Sequence, residues 1–330
     1  MCAGFITSVA GPRGLRRANI RLMHLPRPRA SVVLPVKDGG ATLAAVLAAL
    51  KGQDLAGGIE IVALDSGSRD GSAALLRASG ARVLPVEAEE FDHGETRNRG
   101  AREASGDIVI FLSQDAEPAT SGFARALVVA LEADPRLAGA FARQRPRPDA
   151  DPLTRRELET WVATAGSPRT AFLRADAVLS PLERYRLCVF DNVASAVRRE
   201  VLLQHPFARS RFGEDIEWGQ RVLGLGYGLA YVPEAVVVHS HVRSARALYR
   251  RNYLGHRVLQ RLFGVRTVPD GPDLLRAAAG ALASDLGTLR TEGANLAQWL
   301  AAPAQALAAT WGQYRGARDE AARRPYPRWA

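Results

Sequence analysis

Residues 108–118 read IVIFLSQDAEP, five apolar residues followed by a Ser113-Gln114-Asp115 corner. A run that apolar has no solvent face, so it predicts a strand covered on both sides, and a carboxylate directly beyond it needs a partner or a function. Two earlier runs repeat the arrangement: SVVLPV (31–36) stops before Lys37 and Asp38, and EIVAL (60–64) stops at Asp65. Short β-branched runs separated by helix-period segments predict parallel strands of an α/β sheet. Ligands of such sheets bind beyond the carboxyl ends of the strands, so Asp38, Asp65 and Asp115 are expected around one crevice.

Working outward, ATLAAVLAALKGQ (41–53) repeats Leu43, Val46, Leu47 and Leu50 at helical spacing. DGSAALLRASG (70–80) is a short helix that Asp70 or Ser72 can cap and Gly80 can end. ARVLPV (81–86), a helix over 95–104, the strand at 107–112, a helix over 121–133 and LAGAFAR (137–143) continue one doubly wound unit. QRPRPDADP (144–152), with three prolines, predicts an irregular connection. A helix over 154–164, a strand CVFDNVASAV (188–197), a helix over 214–224 and a strand ending in AVVVH (235–239) follow. The remainder is helical, with Leu274, Leu275, Ala278, Leu282, Leu286 and Leu289 on one stripe. The expected division is a loosely ordered leader (1–29), a doubly wound unit (30–143), a further stretch of strands and helices added to it (144–245) and a helical extension (246–330).

Composition narrows the class. A 47% hydrophobic content in 330 residues supports a full core and argues against disorder. The net charge of +10 is carried almost wholly by arginine, since Lys37 and Lys51 are the only lysines, which reads as compositional bias before nucleic-acid binding. The same charge suits anionic partners such as a nucleotide diphosphate or an acidic lipid surface. Cys2 and Cys188 have no metal or disulfide spacing, which points to a reducing, cytoplasmic compartment. No stretch reaches the ~18 unbroken apolar residues of a spanning helix. GFITSVAG (4–11) followed by Arg13, Arg16, Arg17 and Arg21 has its charge on the wrong side for a signal peptide, and a short amphipathic membrane contact is its sharper alternative reading.

SVVLPVKDGGATL (31–43), IVALDSGSRDGS (61–72), FDHGETRNRGAREASGDIVIFLSQDAEP (91–118), FDNVASAVRREVL (190–202) and FGEDIEWGQRVLGLGYGLAYVPEAVVVHSH (212–241) together resemble the family 2 glycosyltransferases of GT-A fold. The DHG-x-TRN segment with the QDA corner is similar to the bacterial rhamnosyltransferase-like members. The resemblance implies a mixed, mostly parallel doubly wound sheet of GT-A type carrying the helical C-terminal extension. It implies an inverting transfer of a hexose, best matched to L-rhamnose from a dTDP- or UDP-linked donor, onto a cell-envelope glycan or lipid-linked acceptor at the inner face of the membrane.

The same resemblance assigns roles. Asp65 would accept a hydrogen bond from the donor's base, the plain alternative being a turn aspartate bonded to local amides. Pro35, Val36 and Asp38 would border the nucleoside, with Gln114 beside them. Arg97 would face the nucleotide with its guanidinium fork, against the alternative of a solvated helix face. Asp92 and His93 either line the donor pocket or end a strand. Asp115 matches the last acid of the family's Asp-x-Asp metal motif, where Ser113 replaces the first. One carboxylate is a poor anchor for Mg²⁺ or Mn²⁺, so His239 and His241 are the candidate further ligands, with a capped core histidine as the bland reading. Asp215 of the Glu214-Asp215 pair would be the catalytic base, although two acids at a helix start also complement its dipole. Trp218 would stack on an acceptor sugar or sit in the core. Asp191 and Asn192 would position acceptor sugar hydroxyls or a phosphate-linked lipid.

Two other classes remain alternatives. A nucleotide-sugar pyrophosphorylase would be expected to have a glycine-rich loop after the first strand, which PVKDGGATL does not supply. A non-enzymatic basic module binding nucleic acid or the envelope has no helix-turn-helix, zinc spacing or aromatic-basic motif behind it.

Overall fold

The computed structural model describes residues 27–161, 169–174, 177–241, 243–327 and 329, so the arginines at 13–21 and the end of the helix expected over 154–164 lie outside the described residues. β1 (Ala30–Val36) is flanked by β2 (Ile59–Asp65) and β4 (Ile108–Leu112), both parallel to it, and β3 (Arg82–Pro85) extends the parallel set beyond β2. Beyond β4 the direction reverses. β8 (Ala194–Arg198) runs antiparallel to β4 and to β6 (Leu137–Arg145), and β6 is parallel to β9 (Gly228–Val238). The two-residue β5 (Glu117–Pro118) and β7 (Arg169–Phe172) pair antiparallel with β9. The strand at 137–145 therefore does not continue the doubly wound ladder directly, because a later strand is inserted between it and β4.

The sheet buries both faces, and alternation along each strand sorts its side chains. Val32 and Leu34 meet α1 (Gly40–Lys51), α2 (Ser72–Ala78) and α4 (Phe123–Ala133) on one side. Val33, Val62 and Val109 meet α3 (His93–Glu103), α6 (Pro181–Cys188), α7 (Arg199–Gln204) and α8 (Glu214–Gly224) on the other. The predicted core residues of α1, Leu43, Val46, Leu47 and Leu50, are all buried.

Several boundaries move for identifiable reasons. α3 begins at His93 because Asp92 caps it, accepting from Glu95 N at 2.9 Å. α5 (Pro152–Thr160) begins two residues early, with Asp151 accepting from the amides of Leu153 and Thr154 and a proline in the first turn. The strand expected over 188–197 shrinks to β8. Ahead of it Asp191 Oδ1 takes the Val193 amide at 3.0 Å, so that the backbone turns instead of extending the ladder.

The extension is α9 (Ala245–Phe263), α10 (Gly271–Thr291) and α11 (Leu296–Ala321). α11 lies along α9, where Gly312 and Gly316 sit against the backbone carbonyls of Tyr249 and Tyr253, and Arg257 pairs with Glu320 at 2.6 Å. Of the expected α10 stripe, Leu274 and Leu289 are buried, whereas Leu275 is 73% exposed. No helix among the described residues is long and apolar enough to cross a membrane.

α8, which carries the Glu214-Asp215 pair, is seated on α6 through Gly219, whose place a Cβ would take only by overlapping the Cys188 carbonyl oxygen. Gly219→Ala is expected to lower stability by about 1–3 kcal/mol, the usual cost of overpacking against a backbone that cannot yield. Urea unfolding measures this, and an unchanged midpoint would show that α8 is not held by this contact.

Candidate active site

The carboxyl ends of β1, β2 and β4 meet as the sequence predicts. Gln114 binds the backbone of Lys37 twice, accepting from its N–H at 2.7 Å and donating to its carbonyl at 3.0 Å. Lys37 Nζ donates to the carbonyls of Ser66 and Gly67 at 2.8 and 2.9 Å, which draws the loop after β2 against the loop after β1. Asp38, held at φ +47°, accepts the Arg69 amide at 2.7 Å. Asp65 accepts the Ser68 amide at 3.2 Å, as a turn aspartate does, and is half-buried at the strand tip. Pro35 is half-buried at the same edge, and the Val36 side chain belongs to the core. Gln114, expected at the donor, uses both ends of its amide to clamp its own loop after β4 to the loop after β1.

The next group lies where β5 meets the end of β9. Glu117 is opposite Val238, so Asp115 is carried to the residues that follow β9. Asp115 Oδ1 faces His239 Nε2 at 3.5 Å and its Oδ2 faces His241 Nδ1 at 3.7 Å. Candidate ligand atoms of all three residues fall within 4.8 Å of one another. Two ligands ~2.1 Å from one ion at a right angle are ~3 Å apart, so one carboxylate and two imidazoles fit a divalent cation with small adjustment. Burial pushes His239 down to about 4 against the pull of Asp115, so its ring is neutral and able to ligate at physiological pH. Both histidines nominated by the sequence thus stand within reach of the single carboxylate.

The third group stands at the start of α8. Glu214 is buried and pairs with Arg97 Nη1 at 2.7 Å. Arg97 also donates to the carbonyls of His93 and Asn192, at 3.2 and 3.5 Å. This corrects the expectation that Arg97 faces the nucleotide, or a solvated helix surface: its guanidinium is buried against a carboxylate. Asp215 is partly exposed and accepts the Asn192 amide at 3.3 Å. Burial, then the neighbouring charges of Glu214 and Asp191, push it up to about 8.

Asp191 and Asn192 are also reassigned. Both are buried, and their polar atoms hold the loop beneath Asp215. Asp191 takes Gln144 Nε2 at 2.7 Å and the Val193 amide, and Asn192 Oδ1 takes Ser195 Oγ at 2.9 Å, so neither is left facing an acceptor. Trp218 is a core residue. It is fully buried between Phe190 and Phe207, with Nε1 donating to the His205 carbonyl at 2.8 Å, and has no free face for a sugar. Asp92 caps α3 and accepts the Ser210 amide, while His93 is held low chiefly by burial, with Arg97 next.

Sequence reading missed Gln144 and Arg147, both placed in the proline-rich connection. Gln144 lies 2.7 Å from His239 Nδ1, and Arg147 donates to the Asp115 carbonyl at 2.6 Å. No local pattern marks either residue. The strand-tip residues, the carboxylate–histidine group and the acidic pair are nonetheless joined by polar contacts. Gln114 adjoins Asp115, which faces His239; Gln144 links His239 to Asp191, and Asn192 bonds Asp215.

An O-antigen chain rhamnosyltransferase of Salmonella typhimurium is 27% identical over 231 residues, covering 68% of this chain and 70% of that protein. A glucosyl-3-phosphoglycerate synthase of Mycobacterium tuberculosis is 32% identical over 190 residues, 54% of this chain and 56% of its own length. Among solved structures, a mannosyltransferase of Pyrobaculum calidifontis in complex with GDP-Man and Mn²⁺ superposes with a TM-score of 0.59 at 19% identity, covering 89% of this chain and 87% of that one, a likeness of fold. The model of glycosyl transferase family 2 matches residues 31–202. With that match spanning just over half of the chain, and the GT-A arrangement around it, the protein belongs to glycosyl transferase family 2 and is a glycosyltransferase.

Proposed function

We propose that the protein transfers L-rhamnose from dTDP-L-rhamnose, with inversion, onto a hydroxyl of a cell-envelope glycan or lipid-linked acceptor on the cytoplasmic side of the membrane. The observation that carries this reading is the polar connection from Asp115 through His239, Gln144 and Asp191 to Asn192, whose amide meets Asp215, and which links the ends proposed for the leaving group and the base. The sugar rests on similarity to the O-antigen rhamnosyltransferases.

Asp215 is the base. Its carboxylate takes the acceptor's proton as the hydroxyl oxygen bonds to the anomeric carbon and the bond to the diphosphate oxygen breaks, releasing dTDP. Glu214, charge-paired with Arg97, is held away from that role. Asp115, His239 and His241 would hold the divalent ion, which when bound neutralises negative charge on the diphosphate. Two imidazoles beside one carboxylate favour Mn²⁺ over Mg²⁺. The exposed apolar face of α11, with Leu296 at 73%, Leu300 at 72% and Leu307 at 54% exposure, supports peripheral contact with the bilayer that carries a lipid-linked acceptor.

A panel of nucleotide sugars tests the donor: dTDP-L-rhamnose should raise the melting temperature most and release dTDP on turnover, and preference for another donor overturns the assignment. Asp215→Asn should lower kcat by roughly 10²–10⁴-fold with donor affinity intact. Because the raised group must lose its proton to act, kcat/KM should climb with pH toward about 8, and retained turnover in Asp215→Asn would falsify the role. Titration of free Mn²⁺ by its paramagnetic resonance should find His239→Ala and His241→Ala each weakened by more than the ~10–100-fold typical of outer-shell losses. Wild-type protein should float with anionic liposomes while Leu300→Asp/Leu307→Asp remains behind; equal flotation of the two removes α11 as the contact.

A further inference from the structure

Gln144 is the penultimate residue of β6 and only 5% exposed, wedged between two groups of the site. Its Nε2 donates to Asp191 Oδ2 at 2.7 Å, and its Oε1 lies 2.7 Å from His239 Nδ1. Asp191, which burial pushes up to about 6, is ionised at pH 8 and can only accept. The amide therefore cannot turn over, since turning it would bring the carbonyl oxygen against a carboxylate oxygen at hydrogen-bond distance. Oε1 also only accepts, so the short contact to His239 requires the proton on Nδ1. In a neutral ring that leaves the lone pair on Nε2, the atom that faces Asp115 Oδ1 at 3.5 Å.

The backbone enforces this arrangement. Gln144 pairs with Val237, and the His239 amide donates to the Arg145 carbonyl at 2.8 Å. A register shift lets β9 skip from Val232 to Val236 while β6 passes from Ala142 to Arg143. Without that offset, the residue following β9 would not stand beside Gln144.

We infer that Gln144 is a positioning residue that locks His239 in the Nδ1–H tautomer, aims its Nε2 lone pair at the cation site, and ties that site to the Asp191 loop under the catalytic base. The inference rests on the metal assignment proposed above. The tautomer can be read without metal, so the two fail separately.

The test uses full-length protein with ¹⁵N-labelled histidine at pH 8. Long-range proton–nitrogen correlation, with His239 assigned by its loss in His239→Ala, should find Nδ1–H in the metal-free wild type. Gln144→Leu should lose that lock, shifting toward Nε2–H or a mixture, and should bind Mn²⁺ about 10–100-fold more weakly, with metal-free dTDP binding unchanged. Asp191→Asn, which offers both donor and acceptor to Gln144 and so frees its amide to turn, should give a mixed tautomer and a smaller loss of affinity. This second variant keeps the test decisive if Gln144→Leu fails to fold. An Nε2–H tautomer in the wild type overturns the inference. So does unchanged Mn²⁺ affinity in a folded Gln144→Leu, which leaves the metal site standing. A wild type with the Nδ1–H tautomer that binds no Mn²⁺ overturns the metal assignment and, with it, the role of Gln144 toward the ion.

Discussion

The seating of β9 between β6 and the two-residue β5 is the constraint on which the site depends. β5 contributes little ladder, but its pairing of Glu117 with Val238 stops the chain after β4 at the point where Asp115 reaches both histidines. On the other side, the parallel pairing with β6 sets Gln144 beside His239. Buried Ala235 and Val237 anchor β9 in the core, so the polar residues beyond it are positioned by apolar packing rather than by their own attraction.

Electrostatics then divides the labour among neighbouring acids. Glu214, Asp215 and Asp191 crowd one loop and one helix start, and only Glu214 has a guanidinium in direct contact. Removing Arg97 would leave a buried carboxylate without compensation, a loss that typically costs about 3–5 kcal/mol. Asp215, close to the same charges and with no guanidinium of its own, has its proton affinity raised instead, first by burial and then by Glu214 and Asp191. Adjacent acids thus differ, one held in an ion pair and the other with its proton affinity raised.

The acceptor side shows how burial reverses roles that residue type suggests. Trp218, Asp191 and Asn192 all have the chemistry to contact a sugar, yet each turns inward, the indole to the His205 carbonyl and the loop residues to Gln144, Val193 and Ser195. Their contacts tie α8 and the segment ahead of β8 to the core. The extension, locked by Gly312 and Gly316 along α9, leaves the first turns of α11 with an apolar outer face.

Local periodicity in the sequence determined the parallel β1–β4 unit, the buried face of α1 and the acids at the strand tips, because face alternation and strand ends are written into neighbouring residues; the family resemblance nominated Asp115 and Asp215, and the place of His239 and His241 just beyond the last strand nominated the histidines. Tertiary structure alone decided that β8 intervenes between β4 and β6, that Arg97 answers Glu214 117 positions away, and that Gln144, inside a proline-rich stretch, stands between His239 and Asp191. Those outcomes depend on which distant strands share a ladder and which side chains are cut off from water together, and no short window of residues encodes either.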